Sequence, residues 1–505
     1  MSTKENHIYF WGALGISLLL LALFKTIYPY PNVVMDSYYY IRAAVNNADV
    51  NAWPIGYSRF LQFVGIFTHS HLALVAVQYI FLELSLIALF FTLRQIFRLG
   101  RLTSIVLFIF FFVNPLFLYT ANLIMADTLF IGLSALWGTQ LLWIIYGPRP
   151  YMIFTHALLL ILCFMLRYNA LYYPVIGAIA FLLSKQPLRL KLAGIILPAL
   201  LVVSFITYTS GKMEEYCGVR QFSPFGGWKL VNDALFMYPH IQHGASDTMP
   251  KRFQAADYIV RQYFALTRDS GDLMKVEEFH GSPYMFDGPL LDYMIWLYRD
   301  TTLSGKLRNW SSLGPFCAAY GTYLIRNHPM AFARWFLWPN VQRYVYPPGE
   351  IYTTITSFHL RPDELGSYVR QWFGVTTLMP KPEYIDMRLI ILSPYPILFC
   401  LVHACFILSL LGFLLNRGWS SIGKPYNYCL LIIICYWLCD MGFSLTAAAI
   451  VLRYQILTII FEFSLSLFFL EYIYRYADRT SSKPLYLPFQ KAYDHESLER
   501  LPGKE

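Results

Sequence analysis

Long runs of apolar residues alternate with short polar segments along most of this chain. Because about 20 apolar residues cross a bilayer, each run is a candidate membrane span. We predict ten spans, near residues 7–28, 72–97, 103–121, 123–146, 152–168, 170–184, 191–209, 389–415, 426–444 and 449–473. The 152–168 and 170–184 runs are short and separated only by Asn169, so they are two tight spans or one broken element. The first run is expected to remain as an anchor.

Two longer polar segments interrupt this pattern. Residues 210–387 are too polar for a membrane and too numerous for a loop, which predicts an extracytoplasmic domain of mixed structure. Residues 29–71 form a first outer loop rich in aromatic side chains. The chain therefore divides into an N-terminal transmembrane module (1–209), the extracytoplasmic domain (210–387), C-terminal transmembrane helices (388–475) and a cytoplasmic tail (476–505). The predicted fold class is an all-α polytopic membrane protein with about ten transmembrane helices.

Composition and charge support this class. Only 14% of the 505 residues are charged, against about 25% in soluble domains. Lys and Arg gather in every second short loop, which places those loops and both termini in the cytoplasm. The outer segment 210–387 has as many basic as acidic residues. The net charge of +9 therefore comes from the basic residues on the cytoplasmic side, which set the topology, and it requires no nucleic-acid partner. Cys217 and Cys317 both fall in this segment, as a disulfide or as free thiols.

Asp36 is the residue that points most directly to chemistry. It follows the first span in the sequence Pro31-Asn32-Val33-Val34-Met35-Asp36-Ser37-Tyr38-Tyr39-Tyr40. A partly desolvated carboxylate beside aromatic side chains can act as a general base toward a hydroxyl or amine. The alternative is a solvated acid in an interfacial loop. The substrate contacts expected in this loop are Tyr38, Tyr39, Tyr57 and Arg59.

Three further charged residues lie at the outer ends of predicted spans. Asp127 is a second catalytic candidate, and it could instead cap its helix. Asp36 and Asp127 together could bind a divalent cation such as Mg²⁺ or Mn²⁺. Arg167 and Arg453, each followed by a tyrosine (Tyr168 and Tyr454), suit a lipid-linked phosphate, although either arginine could simply extend to the lipid head groups.

Several short motifs, taken in order, resemble the GT-C glycosyltransferases, including the protein O-mannosyltransferase and lipid A aminoarabinose transferase relatives. The resemblance rests on the Asp36 loop and on four later motifs: Asn114-Pro115…Tyr119…Asp127-Thr128-Leu129, Arg167-Tyr168-Asn169-Ala170, Tyr323…His328-Pro329 and Arg453-Tyr454. It implies a GT-C fold and inverting transfer of a sugar from a polyprenyl-phosphate donor. The acceptor would be a glycan, a lipid or a protein.

In this scheme Asp36 deprotonates the acceptor and Asp127 supports the site, while Arg167 and Arg453 hold the leaving phosphate. His328 is expected to contact substrate. We expect a multi-pass protein of a bacterial inner membrane, in contact with membrane lipids. Asp36 is followed by Ser37 where many relatives have a second acid, which bears on metal dependence. Two other classes stay open: a polysaccharide polymerase or ligase, and a transporter or flippase of lipid-linked sugar.

Overall fold

The computed structural model describes residues 3–241, 249–267, 282–286, 288–299, 302–349, 364–375, 382–447 and 449–481. Within them every regular element is a helix, and strand-type pairing is limited to one isolated bridge between Asn32 and Leu123. Eight described helices are long and apolar enough to cross a membrane: Lys4–Ile27, His71–Phe97, Arg101–Ala121, Asp127–Tyr146, Leu188–Cys217, Met387–Leu415, Lys424–Ala447 and Leu452–Tyr476. The chain is an all-α, multi-pass membrane protein.

Two shorter apolar helices, Met152–Leu166 and Tyr168–Leu183, lie among these spans. The chain is extended at Arg167 (φ −149°, ψ 127°), and a 3₁₀ turn over Tyr168–Tyr172 leads into the second helix. The ten predicted runs thus correspond to eight long helices and two short ones. The break between the short helices leaves Arg167 outside regular helix.

Some of the spans contain local breaks. The 101–121 span is divided at Asn114, whose side chain caps its second part. The span that begins at Met387 turns at residues 393–394, and the last span begins with a 3₁₀ turn. The component helices are Arg101–Phe112, Pro115–Ala121, Pro382–Leu392, Tyr395–Leu415, Leu452–Gln455 and Ile456–Ser481, and a short helix, Gly418–Ser421, lies between two spans.

Contacts between loops show which ends of the spans share a face. The Arg94 guanidinium lies 2.9 Å from the Glu5 carboxylate, and the Gly100 N–H donates to Glu471 (2.9 Å). The Gln186 amide donates to the carbonyl of Arg149 (3.3 Å). The basic loops therefore gather on one face, called the inner face below. The opposite, outer face carries residues 28–70 and the segment after Cys217.

The segment expected to be the first outer loop contains two helices, Met35–Val45 and Gly56–Gly65. Each buries an apolar stripe, with Ile41 and Tyr57 both at 0% exposure. Helices this short are not stable alone and depend on tertiary packing. Their length is below that of a span, which is why the hydrophobic pattern gave no indication of them.

The outer segment is helical wherever the structure describes it, so the expectation of mixed structure was wrong for those residues. Pro224, Pro289 and Pro315 occupy first turns of helices, where a missing N–H costs nothing, rather than turns between strands. The span from Leu188 continues past the predicted boundary at 209 to Cys217. Both Cys217 and Cys317 are free thiols. The helices after Cys217 are Pro224–Leu235, Lys251–Thr267, Pro283–Phe286, Pro289–Tyr298, Leu303–Ser312, Gly314–Asn327, Pro329–Phe332, Trp338–Val345 and Glu364–Phe373.

Two of these helices, Pro224–Leu235 and Gly314–Asn327, cross at contact distance because glycines face the partner backbone. A Cβ on Gly227 would lie 2.0 Å from the Gly314 carbonyl oxygen, and one on Gly321 would lie 2.7 Å from the Val231 nitrogen. This pair extends over the first outer helices, since the Trp53 ring lies 5.7 Å from Phe225. The outer segment therefore packs directly above the first outer helices.

Candidate active site

Backbone hydrogen bonds bring the two candidate carboxylates together on the outer face. The Asn32 N–H donates to the Asn122 carbonyl (2.8 Å), and the Ile124 N–H donates to the Asn32 carbonyl (3.0 Å). The Lys25 ammonium donates to the Asn122 side-chain oxygen (2.9 Å). These contacts fix the chain that leads into Met35–Val45 against the turn that precedes Asp127.

Arg167 reaches the same place from the break between the two short helices. Its guanidinium forms an ion pair with the Asp127 carboxylate. The backbone of Gly56, at the start of the second outer helix, lies close against this break. A Cβ at this position would lie only 2.5 Å from the Met165 carbonyl oxygen. The missing side chain at Gly56 thus permits the approach that positions Arg167.

Arg453 completes the arrangement from the start of the last span. Its Nη1 lies 3.9 Å from Asp36 Oδ2 and 3.9 Å from Asp127 Oδ2. The Tyr454 ring lies between the two arginines, with guanidinium carbons 4.9 Å (Arg167) and 5.0 Å (Arg453) from its centroid. Asp36, Asp127, Arg167 and Arg453 therefore form one group, the charged cluster, with two charges of each sign.

The two carboxylates of the charged cluster differ in access. The Asp36 side chain keeps 27% of its surface exposed, whereas that of Asp127 keeps 4%. Burial raises the pKa of Asp36, and Arg453 counteracts this effect. The like charge of Asp127 raises the pKa further, while the Trp53 indole N–H, which donates to Asp36, and Arg167 lower it. Asp36 is therefore the reachable acid of the pair, and its pKa lies above the ordinary aspartate range.

Two neighbours of Asp36 were not identified from the sequence. Tyr40 lies on the same side of its helix, four residues on, and burial together with the Asp36 charge raises its pKa well above the usual value. Trp53 donates to Asp36 and stacks on Tyr39, with centroids 4.2 Å apart. Helical spacing was the available signal for Tyr40, and it was missed because residues 29–71 were interpreted as a loop.

The other candidate residues lie around the charged cluster rather than in it. Tyr57 is fully buried and donates to Gln78 (2.6 Å). Arg59 donates to Asn47 (2.8 Å) and to Gln62 (2.9 Å).

Three more of these candidates make packing or backbone contacts. Tyr38 is buried. Tyr168 packs on Phe222, with ring centroids 4.4 Å apart. His328 ends the helix Gly314–Asn327, and its backbone N–H donates to Leu324. None of these contacts is with a residue of the charged cluster.

The donor set does not suit a divalent cation. Mg²⁺ requires near-octahedral oxygen ligands, yet one Asp127 oxygen is engaged by Arg167 and the other lies 3.9 Å from Arg453. Among the described residues, no group of three His, Cys, Asp or Glu side chains is placed to hold a metal ion. The arginines already balance the charge of the two acids.

An apolar cavity of about 450 Å³, called the lateral groove here, opens between three spans below the outer face. It is lined by residues that fall within 109–117, 395–405 and 456–467, and these include the polar groups of Asn114 and Tyr395. Leu398 (46% exposed) and Leu401 (59% exposed) lie at its edge, so the groove opens sideways toward the lipid. Its shape and lining suit a hydrocarbon chain.

A second polar group lies deeper between the last spans. Asp440 accepts hydrogen bonds from Tyr172 (2.8 Å) and Thr458 (2.6 Å). The His403 Nδ1 lies 2.7 Å from the Glu462 carboxylate. Asp440 is thus held by neighbouring hydroxyl groups.

The charged cluster and the lateral groove adjoin at the start of the last span. Arg453 belongs to the charged cluster, and Ile456, less than one helical turn later, lines the groove. Cationic groups beside an apolar groove match an anionic head group on a hydrocarbon chain. Comparisons with protein-family models, with curated proteins and with solved structures found no match to this chain.

Proposed function

We propose that this protein is a membrane glycosyltransferase of the GT-C type. It moves a sugar from a polyprenyl-phosphate donor to an acceptor at the outer face, the acceptor being a glycan, a lipid or a protein. The observation that carries the proposal is the charged cluster: a reachable carboxylate, Asp36, lies 3.9 Å from Arg453, and Ile456, three residues after that arginine, lines an apolar groove.

The donor is held by two kinds of contact. Its prenyl chain lies in the lateral groove, and its phosphate lies against Arg167 and Arg453. A guanidinium matches a phosphate through charge-assisted hydrogen bonds. Tyr454, in contact with both guanidinium groups, keeps them at a fixed separation. The sugar then projects toward Asp36 and Trp53.

The reaction is a single displacement. The acceptor oxygen forms a bond to the anomeric carbon while the bond from that carbon to the phosphate oxygen breaks. Asp36 accepts the acceptor proton, and the polyprenyl phosphate leaves with the electron pair. Arg167 and Arg453 stabilise the charge that develops on the phosphate, and Asp127 orients Arg167 through their ion pair. One displacement inverts the configuration at the anomeric carbon.

Asp36→Asn tests the proposal. General-base catalysis contributes roughly 10²–10⁴-fold, so transfer of radiolabelled sugar from a polyprenyl-phosphate donor in proteoliposomes should be nearly abolished. Because the pKa of Asp36 is raised, its ionised form opposes folding at neutral pH. Asn should therefore leave the melting temperature unchanged or higher. Asp49→Asn is the control and should transfer normally, because Asp49 is an acid in the same first outer loop as Asp36 and its side chain is 51% exposed.

The same vesicles separate enzyme from transporter. The proposal expects labelled sugar on the acceptor and none accumulated in the lumen. Wild-type vesicles that accumulate sugar without forming product, or an Asp36→Asn protein with full transfer activity, would contradict it.

A further inference from the structure

Among the described residues, a buried arginine outside the charged cluster has no acidic partner. Arg388 is 1% exposed, and within the described part of the chain none of its three guanidinium nitrogens has a hydrogen-bond partner. An isolated charge at such a place is costly, and intramembrane charges are usually paired or functional. The surroundings of Arg388 therefore fit an anion that binds it.

The position of Arg388 connects it to the lateral groove. It lies in the helix Pro382–Leu392, which a turn at residues 393–394 separates from Tyr395, a residue that lines the groove. Tyr119 connects the two positions, because it interacts electrostatically with both the Arg388 guanidinium and the Tyr395 hydroxyl. Tyr119 belongs to the helix Pro115–Ala121, whose first residues line the groove.

Hydroxyl groups continue the connection. Tyr28 and Tyr119 lie beside the Arg388 guanidinium, and the Tyr119 hydroxyl donates to that of Tyr28 (3.2 Å). The Tyr395 hydroxyl donates to Asn114 Oδ1 (2.5 Å) at the polar end of the groove. A head group at Arg388 would thus meet one cation and the hydroxyls of Tyr28 and Tyr119, near the polar end of the apolar groove.

We infer that Arg388 binds the phosphate of a polyprenyl phosphate whose chain lies in the lateral groove. This is a loading position, separate from the Arg167–Arg453 pair, for the carrier before and after transfer. The identity of the lipid rests on the proposed function. The second phosphate position is an addition to it, and it predicts that Arg388 governs carrier loading rather than the chemical step.

Arg388→Met distinguishes this role from a structural one. Met keeps the apolar bulk and removes the unpaired charge, so without ligand the full-length protein in detergent should melt at the same or a higher temperature. The rise in melting temperature that sugar-free polyprenyl phosphate gives the wild type should be lost, with binding weakened roughly ten- to a hundred-fold. Arg388→Lys should recover part of the binding.

Arg94→Met is the matched control. Arg94 is equally buried, but it is bonded to Glu5, Asn6 and Ser104 at the inner face. Its replacement should lower the melting temperature without ligand and leave the polyprenyl phosphate shift intact. Arg388→Met behaving in the same way would overturn the inference.

Transfer kinetics and alternative ligands complete the test. Arg388→Met should raise the KM for the donor with little change in kcat. A fall in kcat alone would contradict a loading role.

The other probes are polyprenol, inorganic phosphate and phosphatidylglycerol vesicles. An Arg388-dependent shift in melting temperature that is equally large with any of them would overturn the assignment to the carrier. Normal carrier binding by Arg388→Met with loss in Arg453→Met would refute only this inference. A wild type that binds no carrier would refute the proposed function as well.

Discussion

The two carboxylates of the charged cluster have different roles in the proposed reaction. Asp127 is 4% exposed and paired with Arg167, so its charge is already balanced. Asp36 is more exposed, and its contacts are the Trp53 N–H and the longer 3.9 Å approach of Arg453. A carboxylate with a weaker ionic partner and a raised pKa is better suited to accept a proton. In the proposed reaction, this asymmetry favours Asp36 as the base and Asp127 in the supporting role.

Trp53→Phe tests the control of the Asp36 pKa. Phe keeps a ring to stack on Tyr39 but removes the N–H, whose hydrogen bond lowers the pKa of Asp36. The pKa should rise further, and because the base must be ionised, the acid limb of kcat/KM against pH should move to higher pH. Trp228→Phe is the control, since the Trp228 N–H donates to the Trp310 carbonyl (2.8 Å). A Trp53→Phe profile that overlays the wild type would refute the assignment.

A double-mutant cycle tests the pairing of Arg167 with Asp127. Arg167→Met leaves Asp127 buried without its partner, which should cost about 3–5 kcal/mol of stability. Asp127→Leu should cost a similar amount, and the double variant should recover much of the loss while remaining inactive. Melting of the four proteins measures the coupling energy. Additive losses would show that the two side chains are independent.

The sequence identified the charged members of this site because each is a charge at the end of an apolar run. Asp36, Asp127, Arg167 and Arg453 can all be selected by that criterion alone. Trp53 and Tyr40 cannot, because their roles depend on the short helix Met35–Val45 and its packing. Arg388 was missed for a related reason: its lack of a partner is a property of the packed structure.

At the scale of elements, spans were far easier to predict than outer helices. The span His71–Phe97 was predicted to within one residue, since apolar length alone defines it. The helix Gly56–Gly65 has no such length, and it is held by burial of Tyr57 and by the close approach of Gly56 to Met165. Gly227 and Gly321, in the outer segment, lie at a helix crossing that the sequence pattern alone does not reveal.

Gly227→Ala and Gly226→Ala form a matched pair in one helix. A Cβ at Gly227 would overlap the Gly314 carbonyl, whereas a Cβ at Gly226 meets no atom within 4 Å. Gly227→Ala should therefore lower the melting temperature of the protein. Gly226→Ala should leave it unchanged or raise it, because Ala favours a helix by up to about 1 kcal/mol over Gly. Equal melting temperatures for the two variants would contradict the close crossing.

At the scale of the whole molecule, the alternation of spans places the cluster and the outer segment on one face. Contacts at the opposite face join Arg94 with Glu5 and Gly100 with Glu471. The loops rich in Lys and Arg lie there, and the positive-inside rule predicts that this is the cytoplasmic side. The charged cluster would then work outside the cytoplasm.

Cysteine labelling tests this orientation. A cysteine at Glu215, whose side chain is 68% exposed at the outer end of its span, should react with an impermeant thiol reagent on intact cells. A cysteine at Tyr151, 54% exposed in an inner loop, should react only in inverted vesicles. The native protein is the background control for both. The reverse pattern would place the charged cluster in the cytoplasm and remove the predicted setting for the reaction.

The break that holds Arg167 and the turn that holds Arg453 lie far apart in the order of synthesis. A growing chain presents Asp127 and Arg167 early, and these two can neutralise each other as soon as the short helices enter the membrane. Arg453 arrives only with the final span. Under the proposed function, a polypeptide released before that point contains the base but lacks one of the two arginines that hold the leaving phosphate. Such an incomplete product would be unable to consume the carrier lipid.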